Sequence, residues 1–192
     1  CDRRQRQMCI RGRFKTAVSL EEAGKIQIVA LDKTGTITKG EPQVTDLVPA
    51  EGISEKELLT YAYALEKKSE HPLAKAILAR AEEQQITTQE VSDFQALPGN
   101  GLRAVLNNEV LTGGSMKFIS NQVSITPELI LEAEKLAGEG KTPLLFTKNG
   151  KLIGMIAVAD VMKEDSPRAV KELQNMGIRV VMLTGDNECT AK

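Results

Sequence analysis

The sequence predicts an α/β protein in which an antiparallel α+β unit interrupts a doubly wound parallel sheet. Three observations lead there. Two apolar runs, residues 26–31 and 178–183, each run into a short polar loop, as the strands of open parallel sheets do. A helical pattern set between Pro167 and Gly177 precedes the second run, giving half of a doubly wound unit. Most of the chain lies between the two loops and carries its own caps and turns.

Taken in order, residues 26–31 (I-Q-I-V-A-L) read as a buried strand ending at Asp32. Ser54-Glu55-Lys56-Glu57 is a capping box, and Leu58, Ala62 and Leu65 continue one helical face. His71-Pro72 opens a second helix that runs to about Glu83, with proline in its first turn. A β-like region over 94–111 turns at Asn107-Asn108. Thr126-Pro127 starts a third helix, which Gly138 or Gly140 ends. Residues 143–146 and 152–159 flank Lys148-Asn149-Gly150-Lys151, a strong hairpin signal. Ala169, Val170 and Leu173 share one face of the last helix, and residues 178–183 then lead into Thr184-Gly185-Asp186-Asn187. Helices on one antiparallel sheet make the inserted unit α+β.

Composition narrows the function. A hydrophobic fraction of 41% and a charged fraction of 27% are ordinary for globular protein. A net charge of −1 argues against an electrostatic nucleic-acid binder. Aromatics at 3%, with no Trp, leave few platforms for stacking single strands. Cys1, Cys9 and Cys189 form no C-x-x-C pair and no disulfide framework, which suits a reducing cytosol. No apolar run approaches the roughly 20 residues of a membrane helix.

The chemistry concentrates at Asp32-Lys33-Thr34-Gly35-Thr36-Ile37-Thr38. A carboxylate at a strand end, a glycine that permits close approach, a lysine and several hydroxyls suit a phosphoryl group and Mg²⁺, with the carboxylate as nucleophile. A plain turn closing a strand is the simpler reading, since Asp, Gly and Thr are common turn residues. The string D-K-T-G-T-I-T resembles the phosphorylation signature of P-type ATPases. That resemblance implies that Asp32 accepts the γ-phosphate of ATP, that Lys33 and Thr184 steady it, and that Mg²⁺ is held at Asp32 and Thr34. Related haloacid-dehalogenase-like phosphatases carry a second Asp where this chain has Thr34, and losing that acid/base should prolong the phosphoenzyme.

Ser69-Glu70-His71-Pro72, close after Glu66, matches a segment of the heavy-metal branch of these pumps. The resemblance implies that His71 and Glu66 contact adenine; the plain alternative makes His71 a helix-start residue. Gly99-Asn100-Gly101 superficially fits a dinucleotide fingerprint, but Pro98 precedes it and a strand-like run follows. A glycine pair letting backbone approach a nucleotide, or a simple turn between strands, accounts for it better. Gly114 and Ser115 stand where the family ends its nucleotide pocket in Gly-Asn, so the amide contact is lost. Thr184-Gly185-Asp186 resembles the family's second phosphate-site motif, and Asp160 its hinge aspartate, although a surface Asp reads as easily.

The expected layout is a basic tail outside the family (1–14), a first part of a phosphorylation domain (15–45), a nucleotide-binding domain (46–158) and the second part of the phosphorylation domain (159–192). The family also uses a Lys and a G-D-G-x-N-D loop that this sequence, read to Lys192, does not contain. The expectation is therefore a cytosolic portion of a heavy-metal pump of a bacterial inner membrane, binding ATP at roughly 0.1–1 mM, about −4 to −5.5 kcal/mol, but barely phosphorylating itself. The local wording is most similar to bacterial Cu⁺ exporters. Zn²⁺/Cd²⁺ pumps and a soluble phosphatase with a cap domain are the alternatives. The transported soft cation would be bound by membrane helices outside this sequence.

Overall fold

The computed structural model describes residues 17–97 and 99–183. Strands β1 (Ile28–Asp32) and β8 (Arg179–Leu183) pair in parallel, with Asp32 opposite Leu183. Strands β2 (Thr38–Pro49), β3 (Ser92–Leu97), β4 (Gly101–Leu106), β5 (Glu109–Ser115), β6 (Thr142–Lys148) and β7 (Lys151–Met162) make a second sheet. Its order is β2-β7-β6-β5-β4-β3, antiparallel at every pairing. The helices are α1 (Ala17–Ala23), α2 (Glu55–Glu66), α3 (Pro72–Glu83), α4 (Met116–Ser120), α5 (Pro127–Gly138) and α6 (Ser166–Asn175).

Local signals set most of these elements. The Ser54 hydroxyl accepts from the Glu57 N–H while the Glu57 carboxylate accepts from the Ser54 N–H, so both halves of the capping box close. Leu58, Ala62 and Leu65 are at most 1% exposed on the face that α2 turns inward. Two-residue turns at Asn107-Asn108 and Asn149-Gly150 have positive φ at both positions, the type I′ geometry that matches strand twist. Gly140, at φ +80°, follows the end of α5.

The six-stranded sheet is covered on both faces. One core joins α2 and α3 to Ala104, Leu111, Phe146, Ile156 and Val158. The other joins Ile119 of α4 and Leu129, Ala133 and Leu136 of α5 to Leu145, Met155 and Ala157. Alternate residues of β7 thus enter opposite cores, which is why 152–159 is continuously apolar. Strand β2 pairs with β7 along most of its length, with register shifts between Thr38 and Pro42 and between Val44 and Asp46.

The first strand departs from expectation. The apolar run predicts a buried strand, but Ile28 is 57% exposed and burial along β1 merely alternates. Among the described residues its sheet has only two strands, and only Val29 and Leu31 on one face of β1 are half-buried.

Candidate functional site

Asp32 ends β1 in extended conformation (φ −68°, ψ 142°) with its residue surface exposed. The chain then turns through Thr34 (φ −76°, ψ 121°) and Gly35 (φ 77°, ψ −14°). Those angles define a type II turn, whose third position needs a residue tolerant of positive φ. Glycine at position 35 is therefore a conformational requirement.

The loop is tied down from the far side of the insert. The Asp160 carboxylate accepts from the Gly40 N–H at 2.9 Å and from the Thr38 hydroxyl. That hydroxyl also receives the Gly35 N–H at 3.2 Å and lies 3.0 Å from the Lys33 carbonyl. Thr38 is only 5% exposed. Lys163 donates from its ammonium to the Gly35 and Thr36 carbonyls at 2.8 and 3.1 Å. Ser166 donates from Oγ to the Ile37 carbonyl at 2.7 Å. Asp160 is thus a tether for the Asp32 loop, not a free surface carboxylate.

A second assembly lies in the six-stranded sheet. Glu66, His71, Gly99, Gly101, Gly114 and Ser115, all singled out from sequence, line one cavity of about 700 Å³. Its floor is apolar, with Leu73, Phe94, Leu102 and Leu144 among the lining. Mostly apolar walls with a few convergent polar groups are what small-molecule sites have. Asp32 and its loop lie outside this lining.

The polar groups differ in what they can offer. Glu66, at the end of α2, is 7% exposed, and burial pushes its carboxyl up to about 7, against a smaller opposing pull from the Ser69 hydroxyl. A buried carboxyl near neutrality suits recognition of a polar heterocycle edge. His71 caps α3: Nδ1 accepts the Leu73 N–H at 3.2 Å, so the capping reading is correct, while the residue still lines the cavity. Ser115 caps α4, accepting the Phe118 N–H at 3.3 Å, which leaves its hydroxyl hydrogen available to a ligand.

The glycines divide. Gly99 sits in a turn at φ +74° with open space where a side chain would be. A Cβ on Gly101 would come within 2.1 Å of the Gly113 carbonyl oxygen, and one on Gly114 within 2.5 Å of the Asn100 oxygen. Gly101 and Gly114 are thus required for β4 and β5 to approach each other, whatever occupies the cavity. Residue spacing alone carries no sign of that.

Thr184, Gly185, Asp186 and Asn187, like Pro98, the first sixteen residues and all three cysteines, lie outside the described residues. Leu183, immediately before Thr184, pairs with Asp32. Sequence reasoning missed Lys163 and Ser166, and Thr38 entered only as the last letter of the motif; none carries a local signal of its role. Among the described residues no three His, Cys, Asp or Glu side chains cluster to hold a metal. Mg²⁺ needs no such cluster, because it keeps water and takes one or two carboxylates beside substrate phosphate. The exposed Asp32, with Thr34 beside it, fits that modest demand.

Comparison with known proteins completes the picture. The haloacid dehalogenase-like hydrolase family matches residues 26–192. This chain belongs to that family. Within it, the chain is 41% identical over 179 residues to "Copper-transporting ATPase 1" of Rhizobium meliloti (strain 1021), covering 93% of this chain and 22% of that protein. It is 44% identical over 174 residues to a "Probable copper-exporting P-type ATPase" of Archaeoglobus fulgidus, covering 91% of this chain and 21% of that one. The crystal structure of a zinc-transporting PIB-type ATPase in the E2.Pi state superposes with a TM-score of 0.82 at 37% identity, over 90% of this chain and 28% of that chain. This haloacid dehalogenase-like chain therefore spans about a fifth of the length of the curated relatives it matches. No helix among its described residues is long and apolar enough to cross a membrane.

Proposed function

We propose that this chain is the ATP-binding and phosphate-accepting portion of a P-type heavy-metal pump. The observation that carries the reading is a pairing of two features. Six residues marked out by the sequence line one cavity, and a carboxylate in a D-K-T-G-T-I-T loop ends a parallel strand of a haloacid dehalogenase-like domain. In this reading ATP lies in the cavity with its base toward Glu66 and His71. An Asp32 carboxylate oxygen forms a bond to the γ-phosphorus as the bond to the bridging oxygen breaks, and ADP departs with that electron pair. Asp32 and Thr34 would hold Mg²⁺, which when bound would supply charge neutralisation for the phosphoryl group. Lys33 and Thr184 would steady the phosphoryl oxygens. Thr34, replacing the acid/base of the related phosphatases, would slow water's attack and let the acyl phosphate persist.

Residues 46–158 form the nucleotide-binding part in this proposal, and 15–45 with 159–192 the phosphate-accepting part. The segment would face the cytosol while other parts of the parent protein cross the membrane. Copper is the proposed cargo, because two of the relatives named above are copper-transporting and copper-exporting ATPases; the zinc-transporting neighbour makes Zn²⁺ the rival.

The test is acid-quenched labelling of the full-length pump with γ-labelled ATP. The wild type should take up hydroxylamine-labile label and Asp32→Asn none; label that survives in Asp32→Asn removes the acceptor assignment. Hydrolysis stimulated by Cu⁺ but not by Zn²⁺ or Cd²⁺ supports copper, and the reverse overturns it.

A further inference from the structure

We infer that Lys163 is a positioning residue for phosphoryl transfer to Asp32, its ammonium clamping the carbonyl side of the Lys33–Ile37 loop. The inference rests on Asp32 being the acceptor, as proposed above. The loop needs such a clamp. Its type II turn depends on Gly35, the residue with the widest backbone freedom. Within the loop the Thr38 hydroxyl braces the Gly35 N–H and the Lys33 carbonyl, while the Gly35, Thr36 and Ile37 carbonyls take their bonds from residues 163 and 166.

Lys163 supplies what is missing from 127 to 128 residues away in sequence. It lies just past the end of β7, the strand whose Asp160 already grips Thr38 and Gly40. Its ammonium bridges the Gly35 and Thr36 carbonyls at 2.8 and 3.1 Å, bonds strengthened by the full charge on the donor. Its own N–H reaches the Ile37 carbonyl at 3.0 Å, which Ser166 Oγ shares at 2.7 Å. Three consecutive loop carbonyls are therefore held from one short segment.

Among the described residues Lys163 has no ion pair, so the loop is where its charge acts. A lysine side chain immobilised this way gives up rotamer entropy that a purely solubilising surface lysine keeps. These bonds fix the loop that begins immediately after Asp32. Small displacements of a reacting group are costly in rate even when binding is untouched.

The test uses the full-length pump and single-turnover labelling with γ-labelled ATP across a range of ATP concentrations. Lys163→Ala is expected to slow labelling at saturating ATP by on the order of 10- to 100-fold, with half-saturating ATP and melting temperature near wild type. Lys163→Arg, which can donate to both carbonyls, should recover most of the rate. Three results overturn the inference: Lys163→Ala labelling at the wild-type rate, slow labelling accompanied by weakened ATP affinity or a lowered melting temperature, or Ala and Arg variants equally slow. Asp32→Asn serves as the control. If it is unlabelled while Lys163→Ala behaves as wild type, only the Lys163 role falls. If the wild type takes no label, or Asp32→Asn keeps it, the acceptor assignment falls and the Lys163 role with it.

Discussion

The six-stranded sheet and the β1/β8 pair are held together in different ways. Around the large sheet, Leu58, Ile77, Leu145, Met155 and Ile156 are completely buried, and helices cover both faces. In the small one, Ile28 and Leu183 are more than half exposed and only one strand pairing exists among the described residues. The cavity sits in the region with its own core, and its walls rest on that packing. The Asp32 loop sits in the other region and takes its order from Asp160 of β7 and from Lys163 and Ser166 just after it. Rigidity is built where the ligand is selected and lent to the place where chemistry is proposed.

That contrast can be broken by experiment. The largest expected effect is in amide exchange: N–H groups of the β6/β7 ladder should exchange on the order of a thousandfold more slowly than those of β1/β8. Equal protection in the two sheets would refute the division. Next come truncations made in both regions. Leu58→Ala should cost about 3 kcal/mol in denaturant unfolding, because a wholly buried side chain leaves a cavity. Val181→Ala, 40% exposed in β8, should cost under about 1 kcal/mol.

Glu66 links stability to the proposed function. Its folded pKa is raised to about 7, so between the ordinary carboxyl range and 7 the unfolded chain loses the proton while the folded chain keeps it. The native state therefore loses stability as pH rises through that window, and the full cost stands above 7. Glu66→Gln should stabilise the fold by about 2–3 kcal/mol at pH 8 and by little at pH 5, while weakening ATP. A stability gain that does not depend on pH would mean the carboxyl is not desolvated as described. The cavity glycines separate clash from strain. Gly101→Ala should destabilise by about 1–3 kcal/mol through the clash with Gly113, whereas Gly99→Ala should cost about 1 kcal/mol, from backbone strain alone.

Features set by a few adjacent residues were legible in the sequence. The Ser54–Glu57 capping box, the Asn107-Asn108 and Asn149-Gly150 turns and the proline-started helices are local decisions of the chain. The residues that gather around the cavity were legible through resemblance. Strand β2 was not: Gly40, Pro42 and Pro49 interrupt its pattern, and its pairing with β7 shifts register twice. Only an edge strand tolerates such a sequence. The exposure of β1 was hidden because an apolar run does not say how many strands will flank it. Lys163 was hidden because a lysine whose partners are backbone carbonyls of a distant loop looks like any other surface cation.

Peptide mapping of the acid-quenched full-length protein after a brief exposure to Mg-ATP addresses the central claim most directly. The account predicts a single phosphorylated peptide, the one containing Asp32, whose signal disappears with hydroxylamine. Phosphate found on any other residue, or none found although nucleotide is bound in the Glu66–His71 cavity, would contradict it.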